Sequence, residues 1–257
     1  MVQTIDKPQL SVVTATFNAL DGLKTTVRSV AEQAPASVEH IIVDGGSRDG
    51  TQAYLESLGD QVRWISEPDD GIADAMNKGI AMAKGEWILI LQAEDRLSTR
   101  GSLKRLEPHL GGGTDILSFD VALLRQGGAV QRRRARPLGF LTEFKMTSPH
   151  QGMVCRRSLF EKIGAFDTSY RIAMDYEFLL RAKRAEANIE VCSQILAEMP
   201  ATGISTQTDW PSMHQRLKED RRLQRQHAQG IAGRFLTELF WLAYMPFKRG
   251  KCAIANA

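Results

Sequence analysis

The stretch Leu10-Ser-Val-Val-Thr-Ala-Thr-Phe-Asn18 decides the fold of this 257-residue chain. Six of its first seven residues are apolar or β-branched, and the run predicts a short strand. Apolar residues recur at helical spacing from Leu20 to Gln33, which predicts a helix directly after that strand. A strand followed at once by a helix is the start of a βαβ unit, so the chain begins as an α/β fold.

The same alternation continues to about residue 91. We predict further strands at 40–43, 62–65 and 87–91, and further helices at 51–58 and 72–84. Four strands separated by helices predict a Rossmann-like, mainly parallel sheet that is flanked by helices. Right-handed crossovers then bring the carboxyl ends of these strands, and the loops that follow them, to one edge of the sheet.

The second half of the chain is less regular. We predict strands at 115–124, 129–134, 151–156, 189–193 and 195–199, and helices at 158–163, 174–187, 210–229 and 231–244. Pro246 is expected to end the last helix, because proline lacks the amide hydrogen that a helix needs. No linker rich in Pro, Gly or Ser separates the two halves, which favours one domain followed by terminal helices.

Composition excludes several classes of protein. The chain is 43% hydrophobic and 25% charged, which is typical of a globular protein and excludes disorder as its main state. The three cysteines are widely spaced, so they predict neither a disulfide framework nor a metal-binding pair, and they favour a reducing compartment. No apolar run is long enough to span a membrane, and residues 1–8 do not resemble an export signal. We therefore expect a cytoplasmic protein.

Charge is distributed unevenly along the chain. Residues 1–120 contain 11 Lys and Arg against 18 Asp and Glu, whereas residues 121–257 contain 22 against 12. Basic residues cluster at 132–136 and 216–225. The basic half favours a phosphate-rich or membrane-associated partner, although a solvated surface explains it equally simply. We expect no nucleic-acid partner.

Acidic residues follow the predicted strands at the carboxyl edge of the sheet. Asp44 and Asp95 end apolar strands, and neither precedes an obvious helix that it could cap. Carboxylates gathered at one edge repel one another unless a cation is present, and oxygen ligands suit Mg²⁺ or Mn²⁺. Asp49, in contrast, stands just before a predicted helix, where a capping role explains it as well as a binding role does.

Two common nucleotide-binding patterns are missing. A dinucleotide-binding enzyme needs a G-x-G-x-x-G turn after its first strand, and this chain has Thr14-Ala-Thr-Phe-Asn18 there. The chain also has no P-loop pattern.

Ordered blocks of sequence resemble a known family. The first three are Ser11-Val-Val-Thr-Ala-Thr-Phe-Asn18, Val43-Asp-Gly-Gly-Ser-Arg-Asp-Gly-Thr51 and Ser66-Glu-Pro-Asp-Asp-Gly-Ile-Ala-Asp-Ala-Met-Asn-Lys-Gly-Ile80. They are similar to the nucleotide half of family 2 inverting glycosyltransferases, which have a GT-A fold, and most of all to the soluble colanic-acid-type exopolysaccharide transferases. The likeness continues through Ser148-Pro-His-Gln151, Arg156-Arg-Ser-Leu-Phe-Glu-Lys-Ile-Gly-Ala-Phe-Asp167 and Ala173-Met-Asp-Tyr-Glu-Phe-Leu-Leu-Arg181, so that it spans roughly residues 9 to 207.

The resemblance implies an inverting, metal-dependent transfer of one sugar from a nucleotide-sugar donor, most readily a UDP- or GDP-sugar. It implies that Asp175 is the general base and that Asp95 binds Mg²⁺ or Mn²⁺ on the diphosphate of the donor. The residues that it implies for the nucleotide sugar are Thr16, Asn18, Asp44, Gly45, Ser47, Asp74, Asn77, Lys78, His150 and Gln151. It also implies a GT-A domain at 1–207, with a nucleotide-sugar half at 9–98, an acceptor half at 115–207 and a helical extension at 208–257.

Several alternatives remain open at this stage. Glu94 stands where the wider family often has an aspartate, so we expect it to be a weaker candidate for the metal than Asp95. Glu177 is the second candidate for the base. A sugar-phosphate nucleotidyltransferase would need a Gly-rich basic loop after the first strand, which this chain lacks. The other alternative is an inactive nucleotide-binding module that organises an assembly complex.

The C-terminal segment Phe235-Leu-Thr-Glu-Leu-Phe-Trp-Leu-Ala-Tyr-Met-Pro-Phe247 is rich in aromatic residues, and Lys248, Arg249 and Lys251 follow it. This composition favours a peripheral contact with the inner face of the cytoplasmic membrane, where a lipid-linked saccharide acceptor would lie. A helix packed in the core, or a dimer contact, accounts for it equally well. The Gln-x-x-Arg-Trp signature of processive synthases is missing, so we expect a non-processive enzyme of exopolysaccharide or cell-envelope biosynthesis.

Overall fold

The computed structural model describes residues 8–33, 37–203 and 206–255. Residues 1–7, most of the N-terminal segment that does not resemble an export signal, lie outside the described part. The strands are β1 Leu10–Thr16, β2 Val38–Asp44, β3 Arg63–Ser66, β4 Trp87–Ile90, β5 Arg96–Leu97, β6 Ile116–Leu124, β7 Val130–Arg133, β8 Met153–Arg156 and β9 Ile189–Pro200. The helices are α1 Leu20–Ala31, α2 Thr51–Ser57, α3 Ile72–Met82, α4 Arg157–Ile163, α5 Met174–Arg184, α6 Trp210–His227 and α7 Gly230–Ala255.

One mixed sheet organises the fold. Its strand order is β3-β2-β1-β4-β8-β6-β9-β5, and β7 pairs with the far end of β6. The strands β3, β2, β1 and β4 run parallel, as predicted, whereas β8 is antiparallel to both of its neighbours. The carboxyl ends of β1, β2, β3 and β4 therefore meet at one edge.

Apolar side chains fill both faces of the sheet. On one face, α3, α4 and α5 pack through a cluster that includes Val13, Ile41, Met76 and Phe178. On the other face, Trp87, Leu103 and Leu117 belong to a second cluster. Because the parallel strands are covered on both faces, they consist of nearly continuous apolar runs, which is why their positions could be predicted from sequence.

Two predictions for the second half of the chain were wrong beyond small shifts of their ends. The two short strands predicted at 189–193 and 195–199 form the single strand β9, which changes register with β6 near Asp120. The irregularities in this register accommodate three extra residues of β9, Ser193, Gln194 and Leu196, without ending the strand. The last helix continues through Pro246 to Ala255, because a proline removes one helical hydrogen bond and penalises the helix without forbidding it.

The C-terminal helices pack against the rest of the domain. Leu223 of α6 is fully buried in the cluster that contains α5. Trp241 of α7 donates a hydrogen bond of 2.8 Å from Nε1 to Gln224 of α6, and the amide of Gln224 donates to the hydroxyl oxygen of Tyr176 at 3.2 Å. A buried polar chain therefore links α7 to α5 through α6. Within the described residues, no helix is both long enough and apolar enough to cross a membrane.

Candidate active site

Asp44 lies at the carboxyl end of β2, and its side chain is fully buried. Ser66, at the end of β3, donates its hydroxyl to Oδ2 of Asp44 at 2.6 Å. The backbone N–H of Ser47 donates to the same oxygen at 3.1 Å, and the hydroxyl of Ser47 donates to Oδ1. Charge-assisted hydrogen bonds of this kind fix the orientation of the carboxylate and offset the cost of its burial.

The loop after β1 is bonded to the loop after β2. Asn18 adopts a left-handed backbone conformation, with φ of +47°, and its N–H donates to the hydroxyl oxygen of Ser47 at 2.7 Å. The N–H of Gly45 donates to the carbonyl of Thr16 at 2.9 Å, and a Cβ on Gly45 would lie 2.5 Å from a carboxylate oxygen of Asp69. Four of the predicted donor-binding residues thus lie side by side, and a larger residue at position 45 would displace the side chain of Asp69.

Asp49 has the capping role. One carboxylate oxygen accepts from the N–H of Leu20, the first residue of α1, at 2.9 Å. The other accepts from the N–H and the hydroxyl of Thr51, the first residue of α2, at 3.2 and 2.6 Å. These bonds satisfy N–H groups that have no partner inside either helix, and they hold the two loops in place.

The start of α3 contributes Asp74 and Lys78. The ammonium group of Lys78 lies 2.8 Å from a carboxylate oxygen of Glu67 and 3.2 Å from one of Asp74. Asn77 is used differently, because its amide donates to the carbonyl of Phe166 at 2.8 Å and accepts from the N–H of Phe166 at 2.9 Å. The structure therefore gives Asn77 a bridging role between α3 and the segment before α5, and direct contact with the donor stays a prediction.

Asp95 closes a tight turn after β4. Its Oδ2 accepts from the N–H of Gln92 at 3.0 Å, and its own N–H donates to the carbonyl of Gln92 at 3.0 Å. The hydroxyl of Thr26 in α1 donates to the carbonyl of Asp95 at 2.7 Å. Burial raises the pKa of Asp95 to about 6, against the opposing effects of His150, the Gln92 N–H and the Gln151 side chain. Because burial disfavours the ionised form of Asp95, a cation beside the carboxylate would stabilise it.

Glu94 points to a different partner. Its backbone is left-handed, with φ of +84°, and its carboxylate accepts from the hydroxyl of Thr202 at 2.8 Å. A Cβ on Gly22 would lie 2.4 Å from Cγ of Glu94, so α1 must carry a glycine where this turn approaches it. Glu94 therefore connects the turn to the segment after β9.

Asp175 lies in the first turn of α5, and His150 contacts it. Nδ1 of His150 is 3.0 Å from Oδ2 of Asp175, while Oδ1 of Asp175 accepts from the N–H of Tyr176 at 2.8 Å. Nε2 of His150 is buried and, among the described residues, has no hydrogen-bond partner. Burial acts to lower the pKa of His150, but the hydrogen bond with Asp175 and the charges of Asp175 and Asp95 outweigh it and raise the pKa. His150 thus connects the two acids electrostatically.

Two residues that position this group escaped the sequence analysis. A Cβ on Gly152 would lie 2.2 Å from the carbonyl oxygen of Phe119 in β6, so only glycine lets the turn at His150–Gly152 lie against the sheet. Glu219 of α6 accepts hydrogen bonds of 2.8 and 2.9 Å from the N–H groups of Ile172 and Ala173, just before α5. Gly152 could have been noticed in the sequence because it follows His150 and Gln151 directly. Glu219 could not, because its partner Ala173 lies 46 residues away along the chain.

Glu177, the second candidate for the base, is engaged elsewhere. It is buried, and both of its carboxylate oxygens accept from Nε of Arg181 at 2.9 Å. Nε2 of His227 lies 3.1 Å from one of them. Despite the effect of burial, these partners lower the pKa of Glu177, which therefore serves as an internal ion pair.

A cavity of about 670 Å³ opens beside Asp175. Its walls include His150, Gln151 and Tyr176, together with Asp220 of α6. The cavity adjoins Asp175, the predicted base, and its volume can hold part of a second substrate.

The residues around Asp95 fit a divalent cation that is shared with a phosphate ligand. Mg²⁺ and Mn²⁺ are commonly held by one or two carboxylates, with water and substrate phosphates completing the shell. Asp95 provides one such carboxylate, and Oε1 of Gln92 is a buried oxygen without a partner among the described residues. In the described part of the chain, the three potential metal ligands that cluster are His109, Glu190 and Cys192, near β9, and Asp95 is not among them.

Comparisons with known proteins identify the family of this chain. A sequence model of the family described as glycosyl transferase family 2 matches residues 11–171. An uncharacterized glycosyltransferase of Mycobacterium tuberculosis is 37% identical over 205 residues, which are 77% of this chain and 78% of that protein. A PGL/p-HBAD biosynthesis glycosyltransferase of Mycobacterium bovis is 32% identical over 184 residues, 68% of this chain and 69% of that protein.

Solved structures show the same fold. The mannosyltransferase PcManGT from Pyrobaculum calidifontis, in complex with GDP-Man and Mn²⁺, has a TM-score of 0.68 at 18% identity. The match covers 97% of this chain and 74% of that one. With the matched family model and the two relatives, these findings show that the chain belongs to glycosyltransferase family 2 and that its mixed α/β sheet has the GT-A fold.

Proposed function

We propose that this glycosyltransferase moves one sugar from a UDP- or GDP-sugar to a lipid-linked saccharide or glycolipid, with inversion at the anomeric carbon. The observation that carries the proposal is the carboxylate of Asp175, oriented by His150 on the wall of a cavity and coupled to the buried Asp95. The similarity to a PGL/p-HBAD biosynthesis glycosyltransferase of Mycobacterium bovis supports a role in the cell envelope or in exopolysaccharide biosynthesis.

The donor would bind at the carboxyl edge of the sheet. Asp44, held by two serines, would face the nucleobase, with Thr16 and Asn18 beside it, while Asp74 and Lys78 would face the sugar. The buried hydroxyl oxygen of Thr16 has no partner among the described residues, which supports a polar ligand next to it. A divalent cation held by Asp95 would supply Lewis-acid stabilisation of the charge that develops on the leaving diphosphate.

The chemistry would be a single displacement. Asp175 accepts the proton of an acceptor hydroxyl while that oxygen attacks the anomeric carbon and the bond to the nucleoside diphosphate breaks. Attack from the face opposite the leaving group inverts the configuration. His150 contacts Oδ2 of Asp175, and Oδ1 accepts a hydrogen bond from the N–H of Tyr176 at the start of α5. Together these contacts fix the orientation of the carboxylate.

The GT-A domain would span 1–207 with halves at 9–98 and 115–207, and the helices of 208–257 would bring the domain to the inner face of the cytoplasmic membrane. Cys155 and Cys192 are buried thiols, which suits a reducing compartment. Transfer of one sugar per encounter would make the enzyme non-processive.

Asp175→Asn tests the proposal against the inactive-module alternative. The readouts are nucleotide binding, by thermal shift with UDP or GDP and Mn²⁺, and release of nucleoside diphosphate from UDP-glucose, UDP-N-acetylglucosamine and GDP-mannose. We expect the variant to keep the thermal shift and to lose about 10²–10⁴-fold in release. Asp60→Asn, at an exposed residue, is the matched control. A wild type that binds nucleotide without releasing diphosphate from any donor would favour the inactive module.

A further inference from the structure

Cationic side chains dominate the cavity beside Asp175. They come from the segment that begins at β7 and from the two C-terminal helices: Arg132, Arg133, Arg134, Arg136, Arg216 and Lys248. The carboxylates that face them across this space are Asp175 and Asp220. The lining is therefore strongly positive, although it surrounds the proposed base.

The positive charge is only partly neutralised within the protein. Arg132 is paired with Asp120, and its guanidinium also donates to the carbonyl of Ser193. In the described part of the chain, no hydrogen bond or ion pair engages the guanidinium groups of Arg134 and Arg136, which are exposed. Burial, together with the charges of Arg125 and Arg216, lowers the pKa of Arg133. Like charges held this close cost free energy, which an anion in the cavity would recover.

This charge lies beside the proposed base. Most residues expected to bind the donor are at the ends of β1 and β2 or on α3, whereas the cations come from the β7 segment, α6 and α7. Asp175 lines the cavity together with the cations, as do His150 and Gln151. A ligand seated on the cations would therefore reach the base.

We propose that the cavity binds the phosphate or diphosphate group of a phosphate-bearing acceptor, and so presents the acceptor hydroxyl to Asp175. Guanidinium groups match phosphate oxygens with paired, charge-assisted hydrogen bonds, and several of them suit a ligand with more than one negative charge. This inference rests on the proposed function, since it names the chemical class of the acceptor of that same site.

Titration with inorganic pyrophosphate, by isothermal calorimetry in EDTA, tests the proposal on the full chain. Arg134→Gln/Arg136→Gln should weaken binding of pyrophosphate about tenfold or more, because the variant removes two cationic hydrogen-bond donors from the cavity. Arg28→Gln/Lys104→Gln, at exposed positions outside the cavity, removes equal charge and should leave the affinity unchanged. Melting temperatures of both variants check that they fold.

Two further arms separate the possible outcomes. The affinity for UDP or GDP with Mn²⁺ should be the same in the arginine double variant and the wild type, because those residues lie away from the donor. Vesicles of phosphatidylcholine with and without phosphatidylglycerol test whether the cations bind a bilayer instead. The proposal is overturned if the wild type does not bind pyrophosphate, or if the double variant binds it as tightly as the wild type. It is also overturned if the double variant loses only its binding to vesicles that contain phosphatidylglycerol. Failure of the wild type to bind any nucleotide would instead overturn the proposed function.

Discussion

Nδ1 of His150 lies 3.0 Å from Oδ2 of Asp175, while Nε2 of the same ring is buried without a partner among the described residues. The two residues are 25 positions apart, on a short turn before β8 and on the first turn of α5. This contact makes His150 a positioning residue for the proposed base, and it gives the first prediction.

His150→Ala should lower the turnover of a donor about a hundredfold and leave its KM nearly unchanged. Removing the imidazole frees the carboxylate of Asp175 to rotate, and a misplacement of about 1 Å at a reacting group costs about that much. His150→Gln, whose amide can donate to the same oxygen, should recover part of the rate. A rise in KM with an unchanged kcat would mean that His150 binds the donor and does not position the base.

Gly152→Ala should reduce the free energy of unfolding by about 1–3 kcal/mol and reduce turnover as well. Its Cβ would lie 2.2 Å from the carbonyl oxygen of Phe119, so either β6 or the turn that carries His150 must move. Gly101→Ala is the control, because a Cβ there meets nothing within 4 Å. Urea unfolding and the donor-release assay measure the two effects, and equal stability of both variants would refute the steric argument.

The part of the site on the nucleotide half could be predicted from sequence because it depends on local order. Buried parallel strands are apolar runs, and each loop that follows such a run must reach the same edge of the sheet. Asp44 and Asp95 were therefore found from their position after a strand. The fold class and seven early elements followed from the same rule: β1 was predicted at its observed bounds, and the other six with errors of one or two residues at their ends.

The acceptor half resisted this reasoning because its contacts join distant parts of the chain. Nothing near Glu219 in the sequence indicates that its carboxylate holds the N–H groups before α5, and nothing near Asn77 indicates that it pairs with Phe166. The cavity is likewise made from β7, α5, α6 and α7, whose relative placement no local pattern encodes. Side chains of this kind are found only once the fold is known.

Binding of Mn²⁺ at Asp95 should depend on nucleotide. Asp95 offers one carboxylate, and the rest of the coordination shell would come from water and the diphosphate of the donor. Electron paramagnetic resonance should therefore show weak binding of Mn²⁺ to the free protein, much tighter binding with UDP or GDP, and loss of that tight binding in Asp95→Asn. His109→Gln removes a ligand from the separate cluster near β9 and should change none of this. Equal Mn²⁺ affinity with and without nucleotide would contradict the shared-cation arrangement.

Asp220→Asn should change how stability depends on pH. Burial raises the pKa of Asp220 to about 7; Asp175 and Glu219 add to the rise, and Arg216 and Lys248 oppose it. An acid whose pKa is higher in the folded than in the unfolded state lowers the free energy of unfolding as the pH rises from about 4 to about 7. The variant should therefore gain stability relative to wild type at about pH 8 compared with about pH 5. The same difference between the proteins at both pH values would refute the assignment.

The exposed face of α7 gives the last prediction. Its exposed large apolar side chains are Ile231, Phe235, Leu236, Leu239, Leu242 and Phe247, whereas Trp241 on the same helix is buried against α6. One face of the helix therefore packs against the domain, and a second apolar face is exposed to solvent. That second face is not packed in the core. Arg234, Arg249 and Lys251 are exposed on the same helix, and this combination suits an anionic bilayer surface.

Phe235→Ser/Leu242→Ser should therefore reduce binding to phosphatidylglycerol-containing vesicles in a sedimentation assay, while the melting temperature stays close to that of the wild type. Both side chains are exposed, at 67% and 71% of their full accessible surface, so their removal creates no cavity. Thr25→Ser/Ser57→Ala, at exposed positions of α1 and α2, is the control. High salt should weaken the binding of the wild type, because part of the attraction is between screened charges. If the serine variant instead converts a dimer to a monomer and vesicle binding is unchanged, the face is a contact between two copies of the chain.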